Sequence, residues 1–246
     1  MNSSPGSTYQ PRPMSSRTAY LLGGVAVVVI AIVVAYVMHS SSSSSPKVQA
    51  DGYGAVHDTA VSALLDSDGA IVLGKTNPTK TIDVYEDPLC PQCGSLEHYY
   101  GQQIAKEIDA GKLAVRYRLV NFLDPKSGTK DYSTRAIAAG DCVASAGDGP
   151  MFSKFHLALF TTKQPAEEGG SLSNEQLAAI AKDAGASQDV QQCITSGDRL
   201  DEARDHATSA TSALTSAIKQ VQTPTVLDGD KNVDTGDSTW VTKLAG

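Results

Sequence analysis

Residues 86–100 read EDPLCPQCGSLEHYY. Cys90 and Cys93, two of the chain's four cysteines, stand here with two residues between them. Such a pair serves as half of a metal site, as an inert staple, or as a redox couple that trades electrons with other thiols. The flanking sequence narrows the choice. Upstream, TIDVYED (81–87) alternates, with Ile82 and Val84 on one face and Asp83 and Tyr85 on the other, as a strand does. Asp87-Pro88 then breaks it. Downstream, Leu96, Tyr100, Ile104 and Ile108 recur every fourth residue, one apolar stripe of a helix that Gly111 is placed to end. LAVRYRLV (113–120) returns to alternation, with Leu113, Val115, Tyr117 and Leu119 facing one way and Arg116 and Arg118 the other. Strand, helix, strand over 81–120 reads as a βαβ unit with parallel strands.

This setting weighs against metal. A structural zinc site needs four ligands, and no second Cys-x-x-Cys matches the first. Cys142 and Cys193 stand alone on separate predicted helices, and His98 lies roughly 140° around the helix from Cys93. No metal or organic cofactor is expected. Redox chemistry fits better. Cys90 falls where a strand has ended and a helix begins, and Pro91 suits the first helical position. The helix N-terminus offers unpaired amides, those of Gln92 and Cys93, and the positive end of its dipole; both stabilise a thiolate. Cys93, one turn inside, is more shielded and resolves a disulfide formed at Cys90. Cys90 is therefore read as the nucleophile and Cys93 as the resolving thiol, with an inert bridge as the alternative.

The rest of the chain sets the compartment. Residues 20–38, YLLGGVAVVVIAIVVAYVM, carry no charge and reach roughly 28 Å as a helix, close to the ~30 Å core of a bilayer. No small-x-small cleavage site follows, so an uncleaved anchor is expected rather than a removed signal. Arg12 and Arg17 precede it without an acidic residue, which favours a short cytoplasmic tail over residues 1–19. Six serines at 40–45 and Pro46 read as a tether within a linker over 39–50. Of the 20 basic residues, 18 lie beyond the span against all 27 acidic ones, a formal −9 that argues against nucleic acid as a partner. The exported domain, 51–246, is long enough for one core. AIVLG (70–74) reads as an edge strand. Helical signals fill residues 130–221, including a long helix capped by Asp198 whose seam runs Leu200, Ala203, Ala207, Ala210, Leu214, Ala217 and Val221. Residues 223–233 read as a hairpin turning at Asp228-Gly229, and DSTWVTKLAG as a short helix capped by Asp237 or Ser238.

Taken together, VYEDPLCPQCGSLE, FHLALFTTKQP (155–165) and TPTVLDG (223–229) resemble the DsbA family of exported thioredoxin-fold oxidoreductases. The anchor and the extra cysteines are most similar to its actinobacterial, membrane-tethered members. The resemblance covers about residues 70–245. It implies an α/β thioredoxin-like fold with a central mixed sheet and a helical insertion over about 127–215. It also implies that Thr223-Pro224 is a cis-proline loop beside the active cysteines, where substrate binds. Cys142 and Cys193 are expected to pair in an oxidising compartment; free thiols or a relay to Cys93 are the other possibilities. Reoxidation by a vitamin K epoxide reductase homologue or a DsbB-like membrane protein follows from the same resemblance.

The chain departs from the family pattern in two places. The buried acid often found six residues before the first cysteine is Val84 here, so a carboxylate relay falls to Glu86 or Asp87, both read as solvated turn acids. Pro91-Gln92 replaces a Pro-His dipeptide. His57, His98, His156 and His206 are expected in surface or packing roles. The expected activity is disulfide donation to unfolded exported proteins with free cysteines. The alternatives are a reductase or isomerase, or a tethered chaperone with a structural cysteine pair.

Overall fold

The computed structural model describes residues 47–246, so the expected tail and membrane span, and most of the linker, lie outside the described residues. Among the described residues no helix is long and apolar enough to cross a membrane. Six strands form one mixed sheet: β1 (Ser62–Leu65), β2 (Ile71–Gly74), β3 (Lys80–Glu86), β4 (Leu113–Leu119), β5 (Thr225–Asp228) and β6 (Lys231–Asn232). Their spatial order is β1-β2-β4-β3-β5-β6. β3 and β4 run parallel, Val84 opposite Tyr117 and Glu86 opposite Leu119, and every other pairing is antiparallel. The expected edge strand at 70–74 is not an edge: the four-residue β1 flanks it, pairing Ala63 with Leu73.

The crossover between the parallel strands is α1 (Pro91–Asp109), whose Leu96, Tyr100, Ile104 and Ile108 are buried on the sheet. It ends as the sequence indicates, with Gly111 in the left-handed region at φ 70°. Five helices follow β4: α2 (Tyr132–Ala144), α3 (Gly149–Phe160), α4 (Asn174–Ala184), α5 (Gln188–Ser196) and α6 (Leu200–Ile218). Caps explain several starts. Asp148 accepts a hydrogen bond from the Met151 amide at 2.9 Å, and Ser173 and Gln176 form a reciprocal capping box. The long helix has Arg199, not Asp198, at its N-cap, and it stops before Val221, which is exposed. Ala203, Ala207, Ala210 and Leu214 form its buried seam. After the β5–β6 hairpin, which turns over Gly229-Asp230, the chain closes with α7 (Trp240–Ala245), capped by Thr239 rather than Asp237 or Ser238. Trp240 packs edge-on against Tyr100 of α1.

Alternation decides which side of β3 each residue serves. Ile82 and Val84 join the main core with α1 and α3. Tyr85 sits on the opposite face with Leu214 of α6 and Leu227 of β5. The C-terminal end of β3 points into the loop that carries Cys90, so sheet, α1 and insertion meet at the cysteines.

Candidate active site

Cys90 is the N-cap residue of α1, in extended conformation, with Pro91 at the first helical position. Pro has no amide to leave unpaired there, and its fixed φ preorganises the first turn. The Cys90 and Cys93 thiols are free, and both residues are buried. Cys90 is drawn down to about 6: the Cys93 thiol donates to it, against the cost of burial, and Thr223 and the amides of Cys93 and Gln92 add further hydrogen bonds. Cys93 moves the other way, well above its ordinary value, because it is fully buried, donates to Cys90 and feels the charge of Glu86. The two sulfurs are therefore chemically unlike: one is a thiolate near neutral pH, the other a thiol.

Thr223-Pro224 is a cis peptide bond, and it lies against the cysteines. The Cys90 thiol sits 3.5 Å from the Thr223 carbonyl and 3.5 Å from Gln92 Oε1. The Pro91-Gln92 dipeptide and the Thr223-Pro224 loop thus meet at one sulfur. Cys142 of α2 and Cys193 of α5 are joined in a disulfide. It ties two helices of the insertion and leaves the Cys90–Cys93 pair to itself.

Two sequence expectations fail at the acids. Glu86 and Asp87 are not solvated: both are fully buried. Asp87 is a brace for the redox loop, accepting from the Leu89 amide at 2.9 Å, the Leu123 amide at 3.0 Å and the Ser133 hydroxyl at 2.5 Å. Burial pushes its carboxyl up to about 7 against these donors. Glu86 faces the other way, toward Glu97 of α1 and His156 of α3. His156 Nε2 stands 3.2 Å from Glu86 Oε2 and 3.4 Å from Glu97 Oε1, without an aligned hydrogen bond to either. All three side chains are at most 4% exposed. Burial and the charge of Glu97 raise the Glu86 carboxyl above its ordinary range. Burial disfavours charge on His156, but Glu97 and Glu86 outweigh it and hold the ring above its ordinary value.

His156 is thus neither a surface nor a plain packing residue, although aromatic rings enclose it, Tyr117 at 4.1 Å and Phe160 at 4.6 Å. His206 also has a partner, Asp141 Oδ2 at 2.9 Å, and His57 lies 3.5 Å from Asp109. His98 sits edge-on to Tyr99 in the same part of α1. The Glu86, Glu97 and His156 ligand atoms all lie within 4.8 Å of one another, so this trio is the one place among the described residues where three such groups converge.

Gln164, just after α3, was not singled out from the sequence although it lies inside the FHLALFTTKQP stretch. Its Nε2 donates to the carbonyls of Pro88, at 3.2 Å, and Cys90, at 2.9 Å. A side chain at Gly94 would meet the Phe160 carbonyl and Gln164. The insertion is therefore clasped directly to the first turn of α1.

Comparison with known proteins agrees with this geometry. The sequence profile of the family described as Thioredoxin matches residues 66–242. MdbA, a thiol-disulfide oxidoreductase from Corynebacterium diphtheriae, superposes with a TM-score of 0.68 at 31% identity, covering 79% of this chain and 98% of that one. Oxidised DsbA from Mycobacterium tuberculosis gives a TM-score of 0.58 at 30% identity, covering 76% and 93%. The serine/threonine-protein kinase PknE of the same organism is 38% identical over 210 residues, 85% of this chain. The chain spans only 37% of that kinase's length. With the fold, the paired cysteines and the cis-proline loop in place, the chain belongs to the thioredoxin family and is of the DsbA type, a group of thiol-disulfide oxidoreductases.

Proposed function

We propose that this chain is a membrane-anchored, extracytoplasmic protein that introduces disulfide bonds into exported proteins through Cys90-Pro91-Gln92-Cys93. The observation that carries the reading is the placement of a free Cys90 at the helix N-cap against the cis Thr223-Pro224 loop, with a free Cys93 buried behind it, an arrangement that draws Cys90 down and pushes Cys93 up. A substrate thiolate attacks Cys90 of the oxidised pair, and the Cys90–Cys93 bond breaks with its electrons leaving on Cys93. A second substrate thiolate then attacks the substrate sulfur of the mixed disulfide and releases Cys90 as thiolate. A stabilised Cys90 thiolate is a good leaving group and favours the reduced form of the protein, so the substrate leaves oxidised.

The substrate is an extended chain lying beside Thr223-Pro224. Two depressions adjoin the active-site segments, one at Pro91 and one at Pro224. One is lined by Pro91, Ser95, His98, Tyr99 and Phe160, the other by Gln222, Pro224, Val226 and Asn232. Recharging falls to a membrane partner of the vitamin K epoxide reductase or DsbB type, and an anchor over residues 20–38 holds the domain within its reach. The apolar span and Arg12/Arg17 support a cytoplasmic N-terminus. Protease added outside spheroplasts should therefore digest residues 47–246.

Trapping tests the chemistry. Cys93→Ser removes the resolving thiol, so mixed disulfides through Cys90 should accumulate in cells, while Cys90→Ser should trap nothing. Equal trapping by Cys90→Ser would show the roles to be reversed. Absence of thiol exchange by the wild-type protein, with insulin or a dithiol peptide, would leave the pair structural and the reading wrong.

A further inference from the structure

Glu86, Glu97 and His156 come from three elements that packing brings together: the end of β3, the second turn of α1 and the middle of α3. All three are buried. Both carboxylate oxygens of Glu86, Glu97 Oε1 and His156 Nε2 are shut off from solvent, and none of the four has an aligned hydrogen bond. Buried polar atoms are nearly always paired, so four unpaired ones in a single cluster mark a ligand set. The spacing suits a small divalent ion. His156 Nε2 stands 3.2 Å from Glu86 Oε2 and 3.4 Å from Glu97 Oε1. Ligands held 2.0–2.1 Å from a tetrahedral ion lie roughly 3.3–3.4 Å apart, as zinc with imidazole and carboxylate ligands requires. A proton shared between the same atoms would instead line up along a hydrogen bond.

The geometry points to a zinc site: Glu86, Glu97 and His156 bind one zinc ion, which ties α3 of the insertion to β3 and α1. Cysteine spacing does not reveal this centre, because none of its ligands is a cysteine. The surroundings make room for it. Gly101 stands one turn after Glu97 on α1, and a Cβ there would meet Glu97 Oε2 at 2.7 Å and Leu157 Cδ1 at 3.0 Å. A cavity of about 10 Å³ adjoins Glu97, His156 and Tyr117, the space that one water needs as a fourth ligand. The rings of Tyr117 at 4.1 Å and Phe160 at 4.6 Å hold the imidazole in place. Zinc, two carboxylates and a neutral imidazole sum to zero charge, so no net charge is buried. Because every ligand is buried in the folded chain, the ion enters before α3 closes over the trio. The site does not depend on the disulfide-exchange reading.

The test uses the full-length protein in detergent with Cys90 and Cys93 oxidised, which keeps both sulfurs from taking metal. Stripped with a chelator in mild denaturant, refolded with zinc and desalted, it should retain one zinc per chain. Zinc-edge X-ray absorption should show only nitrogen and oxygen neighbours at about 2.0–2.1 Å, imidazole among them. Losing even a residue that orients a metal ligand costs 10–100-fold in affinity. Glu97→Gln and His156→Gln, which remove ligands, should therefore each weaken zinc binding by more than about a hundredfold. His206→Gln, at a histidine paired with Asp141 instead, should leave it unchanged. Folded wild type that retains no zinc overturns the proposal, and so does unchanged affinity in Glu97→Gln and His156→Gln. Sulfur neighbours at about 2.3 Å would place the ion on cysteine and overturn it as well. If a ligand variant does not fold, the wild-type absorption spectrum decides alone.

Discussion

Strands β3 and β4 carry charge on both faces, and the two clusters are built differently. On the outer face Arg116 and Arg118 meet Asp66, Asp68 and Asp83. Arg118 reaches Asp68 at 2.6 Å and Asp83 at 2.5 Å, and Arg116 reaches Asp66 at 3.0 Å. Its aspartates keep 22% to 38% of their side-chain surface in water. Each charge there has an opposite partner, and all but the buried Arg118 keep access to solvent. On the inner face Glu86, Glu97 and His156 have almost no solvent and poorly aligned partners. The outer cluster is what a sheet does with charged residues it has to carry, and such partly exposed pairs contribute little to stability. The inner one is buried at a cost, with one histidine between two carboxyl groups.

The difference is broken most visibly through activity. Cys90→Ser should abolish disulfide exchange outright, measured by peptide oxidation. Arg118→Met should leave the specific activity of the folded protein intact. Loss of exchange in Arg118→Met at full folding would erase the distinction between the clusters.

Stability comes next. His156→Leu strands two buried carboxyl groups without their counter-charge and should cost about 3–5 kcal/mol in urea unfolding. Arg118→Met leaves its aspartates with solvent and with Arg116, and should cost only about 1–2 kcal/mol. Equal costs would mean that the inner trio is as well compensated as the outer network.

The smallest effect is the sign of the pH dependence. Glu86 and Asp87 are raised, Asp87 from 3.8 to about 7. The folded protein therefore holds protons that the unfolded chain releases, and this contribution is lost as pH rises from about 4 to 7. The His156 contribution is present below the ring's ordinary value and is likewise lost as pH rises through its raised one. Asp68 is lowered: burial opposes the shift, but the Arg118 hydrogen bond and charge outweigh it. Its contribution is present above 3.8 and lost on acidification. Asp87→Asn should therefore flatten the decline in stability between pH 4 and 7, and Asp68→Asn should flatten the loss below pH 4. Identical slopes in the two variants would contradict these assignments.

The same contrast explains what the sequence made legible. The βαβ unit, the cysteine pair and the β5–β6 hairpin are local, and period and turn residues reveal them. β1 is four residues long and pairs with a strand it nearly touches in sequence, too short for alternation to stand out. The helix starts at Leu200 and Trp240 moved by one or two residues because Ser, Thr and Asp near them all offer caps. The burial of Glu86 had a signal: it shares the parity of Ile82 and Val84, so the core face of β3 runs straight into it. Reading Asp87-Pro88 as a break moved it wrongly into solvent. His156 had none, since its partners lie some sixty and seventy positions earlier and meet it only when α3 packs on α1. Gln164 depends on the same packing.

The reduction potential of Cys90/Cys93 tests the central claim most directly. Equilibrating the protein in glutathione buffers and counting labelled thiols gives it without reference to any partner. A Cys90 drawn down to about 6 stabilises the reduced form, so the potential should lie well above thioredoxin's ~−270 mV. Gln92 adds only a neutral group where a histidine could add charge, so it should stay below the ~−120 mV of the Pro-His enzyme. A value at or below thioredoxin's would contradict disulfide donation and make the chain a reductase.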